Sequence, residues 1–337
     1  MRKIKIPLYF LILSILLTSG ISILVSFRIK NNNTEEVADK TTSENNYLSC
    51  KYKLVRLKGY NFIQPLMYAE PECASSSFNS IKVIVDDIIS SNKSTGNITS
   101  ASVYLRKFED GSWVSIGDEK KYFPGSLLKV PTMIACMKMN EKSPGILDKK
   151  ILYNQVFSAN RNATFRSKSI QLGKTYTMRE LLRYMISYSD NDATTLLSQN
   201  IDVTTLEKVF TDLGLEKPDR KAHQYPISTK DYSQFLKVLY NASYLSNEDS
   251  DFCLGLLTTS DFSDGMLAGF PPHSIVAHKF GEGGFKDNPV LSESGIVFVN
   301  DKAFILTIMT QGKDLKVLSK IISDISKAVY NNMIPML

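Results

Sequence analysis

Apolar and polar positions fall into three regimes along this chain. The first is a run from Pro7 to Phe27, PLYFLILSILLTSGISILVSF, with no charge in it. About twenty apolar residues are enough to cross a bilayer as a helix. The run exceeds the apolar core of a cleaved leader and lacks an Ala-x-Ala-like exit, so residues 1–30 read as an uncleaved signal anchor. The second regime, residues 31–46 (NNNTEEVADKTTSENN), is almost bare of apolar side chains and reads as a flexible linker. Apolar residues return in the third regime, first as an arm over 47–77 and then as periodic patterns over 78–337.

Within 78–337 the period changes several times. FNSIKVIVDDIISS gives Ile81, Val83, Ile84, Val85, Ile88 and Ile89 a broad apolar helical face. ASVYLRKFEDGSWVSIG sets two strand-like runs around Asp110-Gly111, a strong hairpin signal, with Trp113 in the hairpin's core. Residues 124–262 are helical in character, and TMRELLRYMIS is their clearest amphipathic segment. Strand patterns resume at SIVAHKFG, SGIVFVN and AFILTIMT. DLKVLSKIISDISKAVYNNM closes the chain as a helix, with Leu315, Val317, Leu318, Ile321, Ile322 and Ile325 on one face. The order helix, two strands, helical block, three strands, helix predicts an α+β (mixed α/β) fold. Its antiparallel sheet is built from both ends of the domain, with a helical region inserted between.

Composition narrows this picture little. With 43% hydrophobic and 22% charged residues in 337, the chain is an ordinary globular one. Its formal charge of +6 is spread among interspersed lysines and carboxylates, without a basic block or an aromatic-basic motif, which argues against a nucleic-acid partner. Arg2, Lys3 and Lys5 precede the apolar run while Arg28 and Lys30 follow it, so charge bias leaves the orientation nearly balanced. Of four cysteines, Cys50 and Cys73 flank one compact segment and could pair outside the cytoplasm, or remain free. Cys136 lies in an apolar helical stretch and reads as a buried thiol. No cysteine or histidine spacing matches a metal site, so no metal or cofactor is expected.

Candidate chemistry begins at FPGSLLKVP. Ser126 and Lys129 lie three residues apart, close to one helical turn, so their side chains share a face. They are either a decorated helix start or a nucleophile beside its base. Further along come Ser189-Asp190-Asn191, between two helical runs, and Lys279-Phe280-Gly281 on a strand-like run. Each is weak alone. In the order S-x-x-K, S-D-N, K-x-G they resemble the serine β-lactamase and penicillin-binding-protein superfamily, and within it the class A-like serine hydrolases, over roughly residues 78–333. The resemblance implies a β-lactamase/transpeptidase-like fold and an acyl-enzyme mechanism. It implies Ser126 as nucleophile, Lys129 as its base and Ser189 as proton relay. Asn191 would hold the lysine and the substrate amide, and Lys279 would supply positive charge. The oxyanion would lie between the backbone N–H groups of Ser126 and Glu282, with Gly281 allowing close approach.

The pattern departs from the family in three places. Phe280 stands where the family usually has Thr or Ser, and a ring cannot bind a β-lactam carboxylate as a hydroxyl does. Strand alternation puts Glu282 on the same face, where its charge would repel a substrate carboxylate. The family's Glu-x-x-Leu-Asn, which activates the deacylating water, is missing, and neither Glu216 nor Asp219 aligns with it. His223, His273 and His278 have no G-x-S-x-G elbow to serve. The expectation is therefore a single-pass membrane protein with an extracytoplasmic serine hydrolase domain, acting on β-lactams or related amides, with slow turnover. The alternative is a D,D-carboxypeptidase, esterase or penicillin-binding protein acting on peptidoglycan-derived peptides. A silent cell-wall sensor would have lost Ser126, Lys129 or Ser189, and all three are present.

Overall fold

The computed structural model describes residues 50–157, 163–165, 167–219 and 225–337. The apolar run and the polar linker lie outside them, as does His223. Among the described residues no helix is long and apolar enough to cross a membrane.

The chain opens with an antiparallel pair, β1 (Tyr52–Arg56) and β2 (Leu66–Pro71). A disulfide joins Cys50 to Cys73 across the ends of this pair, with Cα atoms 5.8 Å apart. Helix α1 (Asn79–Ser94) leads into the hairpin of β3 (Ile98–Lys107) and β4 (Trp113–Gly117). Gly111 takes φ 71° in its loop, and Asp110 accepts the Ser112 N–H at 2.8 Å. The inserted block holds α2 (Lys129–Lys142), the short pair β5 (Lys150–Leu152) and β6 (Thr175–Thr177), and α3 (Met178–Ser187). It continues through α4 (Asn191–Ser198), α5 (Val203–Asp212), α6 (Thr229–Tyr240), α7 (Asn247–Thr258) and the single turn α8 (Met266–Gly269). Strands β7 (Ile275–Phe285), β8 (Asn288–Val299) and β9 (Lys302–Gly312) and helix α9 (Leu315–Met333) complete the chain.

The five long strands form one antiparallel sheet in the order β4-β3-β9-β8-β7. Its two halves join where β3 meets β9, with Val103 opposite Ile308. One face packs on the helical block and the other on α1 and α9, giving two apolar cores. The apolar face of α1 is narrower than its composition suggests. Ile81, Val85 and Ile89 are buried, whereas Val83 is 61% exposed and Ile84 also faces solvent. Burial follows the i, i+4 stripe that meets the sheet, and an apolar side chain off that stripe stays outside.

The arm is held by a buried charge cluster. Glu70 on β2 accepts the Tyr104 hydroxyl at 2.7 Å and the Arg106 guanidinium at 3.0 Å, and pairs with the Lys237 ammonium. Burial alone would raise the Glu70 carboxyl, but Lys237 and Arg106 hold it below its ordinary range. Trp113 is buried and stacks on Tyr104 of the same hairpin, with centroids 5.9 Å apart. Its indole N–H reaches across to the arm and donates to the Pro71 carbonyl at 2.6 Å.

Candidate active site

Ser126 sits in a 3-10 turn, Gly125–Leu128, that runs directly into α2. Glycines press this turn against β7. Gly125 adopts φ 55°, and a Cβ there would lie 1.8 Å from the Glu282 carbonyl oxygen. A Cβ on Gly281 would lie 2.1 Å from the Pro124 carbonyl oxygen and 3.0 Å from the Ser126 nitrogen. Any larger residue at either position would force the two segments apart.

Pro131, in the first turn of α2, has no N–H to offer the carbonyl four residues back. That carbonyl belongs to Leu127, and the buried Tyr232 hydroxyl on α6 donates to it at 2.9 Å. A side chain from a distant helix thus takes up the acceptor left by proline inside the motif.

Lys129 is buried, and its Nζ points to three oxygens. It donates to the Ser189 carbonyl at 2.6 Å, the Ser189 hydroxyl at 3.1 Å and Asn191 Oδ1 at 2.6 Å. All three are neutral. Burial drives the amine down to about 7, against the smaller opposing effects of Asp190 and Glu282. An amine at that value is half unprotonated near neutrality and can accept a proton.

Ser189 stands just past the end of α3 in the left-handed region, at φ 52°. The Asp190 N–H closes back on the Tyr184 carbonyl at 3.1 Å, a helix stop that usually employs glycine. A side chain there costs on the order of 1–3 kcal/mol, and it directs the Ser189 hydroxyl at Lys129. Asp190 itself turns away. It caps α4 through the Asp192 N–H at 3.0 Å and accepts the Ile170 N–H at 2.8 Å.

A cavity of about 200 Å³ collects Ser126, Ser189 and Asn191 with Ala163, Phe165, Phe280 and Glu282. Among the described residues no hydrogen bond joins Ser126 Oγ to Lys129 or Ser189 (contacts of this kind often tighten only around substrate). Lys279 and Gly281 do not line the cavity. Lys279 is fully buried, and its Nζ bonds the Phe280 carbonyl at 2.9 Å. Burial, then the nearby Lys129 amine, pushes Lys279 well below its ordinary value despite Glu293, Asp261 and Glu282. Among the described residues no carboxylate is in hydrogen-bonding contact with Lys279, and Lys279 is not among the groups that shift Lys129. Glu282 also differs from expectation. Its carboxylate is tied by the Thr164 N–H at 2.9 Å and the Phe165 N–H at 2.8 Å.

Phe280 is buried in a three-ring cluster. It stacks on Phe262 with centroids 4.1 Å apart and meets Phe165 edge-on at 6.1 Å. Sequence reasoning missed both partner rings, since each lies in a loop without periodicity. Elsewhere, Glu216 pairs with Lys121 at the surface, and neither it nor Asp219 lines the Ser126 cavity. His278 is buried on β7, bonded to Glu293 at 2.7 Å, and does not line the cavity either. Among the described residues no group of side chains could hold a metal ion.

A five-stranded antiparallel sheet flanked by helices, with serine, lysine, serine and asparagine gathered at its β7 edge, is the architecture of the β-lactamase/transpeptidase-like serine hydrolases. The sequence profile of the β-lactamase enzyme family matches residues 81–333, and the chain belongs to that family as a β-lactamase-like serine hydrolase. It is 25% identical over 232 residues to β-lactamase VEB-1 of Pseudomonas aeruginosa, a match covering 62% of this chain and 78% of that one. Among solved structures it is similar to PBP-A, in a point mutant's acyl-enzyme complex with penicillin G. There the identity is 20%, the TM-score 0.64, and the coverage 77% of this chain and 97% of that one. A β-lactamase from Chitinophaga pinensis gives 21% identity and a TM-score of 0.64, with 75% of this chain and 99% of that one covered. At these identities the structural likenesses speak to the fold.

Proposed function

We propose that this chain is a membrane-anchored, extracytoplasmic serine acyl-transfer hydrolase that opens β-lactams or related amide bonds through an acyl-enzyme on Ser126. The observation that carries the reading is Lys129. It lies one turn from Ser126, is buried, and has only neutral oxygens around an amine held at about 7. A serine hydroxyl needs such a base. In this mechanism Lys129 takes the Ser126 proton as Oγ attacks the carbonyl carbon. Ser189 passes that proton to the leaving nitrogen, and Asn191 orients both the lysine and the substrate amide. The N–H groups of Ser126 and Glu282 receive the oxyanion, and fixed donors of this kind are typically worth a few kcal/mol each. The apolar run 7–27 is the proposed anchor, with the catalytic part outside the cytoplasm.

Acylation is better provided for than deacylation. Glu282 is the one carboxylate among the described cavity-lining residues, and loop amides occupy both of its oxygens. That favours a long-lived adduct, in the manner of a penicillin-binding protein or D,D-peptidase. The test is intact-mass spectrometry of the purified protein over time after adding a penicillin, with Ser126→Ala in parallel. An adduct on the wild type alone that persists for many minutes is the expected result. An adduct that decays as hydrolysed drug accumulates would make the protein an efficient β-lactamase. Equal labelling of Ser126→Ala would end the reading.

A further inference from the structure

Phe165, Phe280 and Glu282 line the cavity together with Ser126, Ser189 and Asn191. Phe165 and Phe280 belong to the ring cluster with Phe262, whose edge contact to Phe165 is 5.0 Å. Two backbone N–H bonds to the Glu282 carboxylate hold the Thr164–Phe165 segment in place. Among the described lining residues none is cationic, and one is an anion. The buried amine of Lys279 lies 4.1 Å from the Phe280 ring centroid and is bonded to the Phe280 carbonyl. Phe280 lines the cavity and Lys279 does not. A carboxylate placed against Phe165, Phe280 and Glu282 would lose its water against aromatic rings and meet a like charge, with no cationic side chain among the described lining residues.

Resting on the acyl-transfer reading above, we propose that this site selects acyl donors whose leaving-group side is uncharged and apolar, such as neutral esters, thioesters or amides, over donors bearing a carboxylate there. Phe280 and Glu282 set the preference, Phe280 by filling the space with a ring and Glu282 by its charge and by its hold on Phe165. With a thioester the step balances simply. The Ser126 Oγ–carbon bond forms, the carbon–sulfur bond breaks, and the serine proton passes through Lys129 to the departing thiolate. Water then hydrolyses the ester on Ser126.

Two thioesters with one acyl group test this on the full-length protein. One leaving thiol is mercaptoacetate and the other its carboxamide, and acylation of Ser126 is timed by intact mass. The carboxamide donor is expected to react about tenfold faster or more, the scale of a like charge a few ångströms away in a partly buried site. Glu282→Gln should pull that ratio toward one, and Phe280→Thr should lower it further. General structural damage would slow both donors alike, and each rate is divided by that donor's rate with hydroxide because the two thiols differ in acidity, so the corrected ratio isolates the preference. If Phe280→Thr fails to melt cooperatively, Glu282→Gln carries the comparison. Equal or faster reaction of the carboxylate donor with the wild type overturns the proposal while the Ser126 acyl-enzyme stands. A wild-type ratio that neither substitution changes also overturns it. Failure of both donors to label Ser126 removes the acyl-transfer reading and the proposal together.

Discussion

Lys129 and Lys237 are both buried in this protein, and their immediate contacts differ in one respect. Lys237 meets the Glu70 carboxylate, which also holds Arg106 and the Tyr104 hydroxyl. Burial pushes its amine down to about 8, with Glu70 pulling the other way. Lys129 meets a carbonyl, a hydroxyl and a carboxamide, and its amine falls to about 7. A counter-ion in contact makes a buried lysine a clamp. Neutral acceptors alone leave it able to gain and lose a proton near neutral pH. The first arrangement fastens an arm to the domain, and the second stands beside a nucleophile candidate.

Removing each lysine's function separates the two sites. Lys129→Ala is expected to slow acylation of Ser126 by about 10²–10⁴-fold, the range for losing a positioned base, measured as the rate of adduct formation. Lys237→Met should leave that rate within a few-fold of wild type. The reverse holds for stability. Glu70→Gln strands two cations in a site where Arg106 and Lys237 side chains are only 9% and 1% exposed. Breaking such a cluster costs about 3–5 kcal/mol, read from the denaturant midpoint. A Glu70→Gln protein of unchanged stability would show that the cluster is not the clamp.

These sites were unequally legible in the sequence. The five strands declare themselves as short apolar runs, β3 being buried on both faces, and Asp110-Gly111 marks a turn that glycine makes easy. Ser126, Lys129, Ser189 and Asn191 were findable because the motifs keep their order and internal spacing. The Glu70 cluster was not, because its members come from β2, β3 and α6 and share no spacing. Phe165 and Phe262 were hidden for the same reason, since loops without a period leave no pattern. Val83 and Ile84 misled in the other direction, because hydrophobic residues also occur on surfaces. The Cys50–Cys73 bridge was allowed by position, but only the pairing of β1 with β2 brings its ends together.

The comparison sharpens with pH. Lys129 acts as a base only when unprotonated, so acylation should fall about tenfold per pH unit below about 7 and level off above it. Glu282 favours the charged amine, so Glu282→Gln should move the midpoint to lower pH. Lys237→Met should leave it in place, because Lys237 is not among the groups that shift Lys129. A profile that is flat from pH 5 to 8 would mean that another group takes the Ser126 proton.

The smallest expected effect tests how the motif is built. Tyr232→Phe deletes one hydroxyl and takes from the Leu127 carbonyl its side-chain donor, in a place where Pro131 cannot supply a helical N–H. Tyr232 is fully buried, so water cannot readily replace it. The loss should be about 1–2 kcal/mol in stability, with no change in the pH midpoint, since the ring and its packing remain. Restoring a backbone N–H by Pro131→Ala in the same protein should recover part of that loss, because the helix can then close its own bond to Leu127. Equal destabilisation of Tyr232→Phe with and without Pro131 would show that the hydroxyl matters for some contact other than the acceptor that proline leaves open.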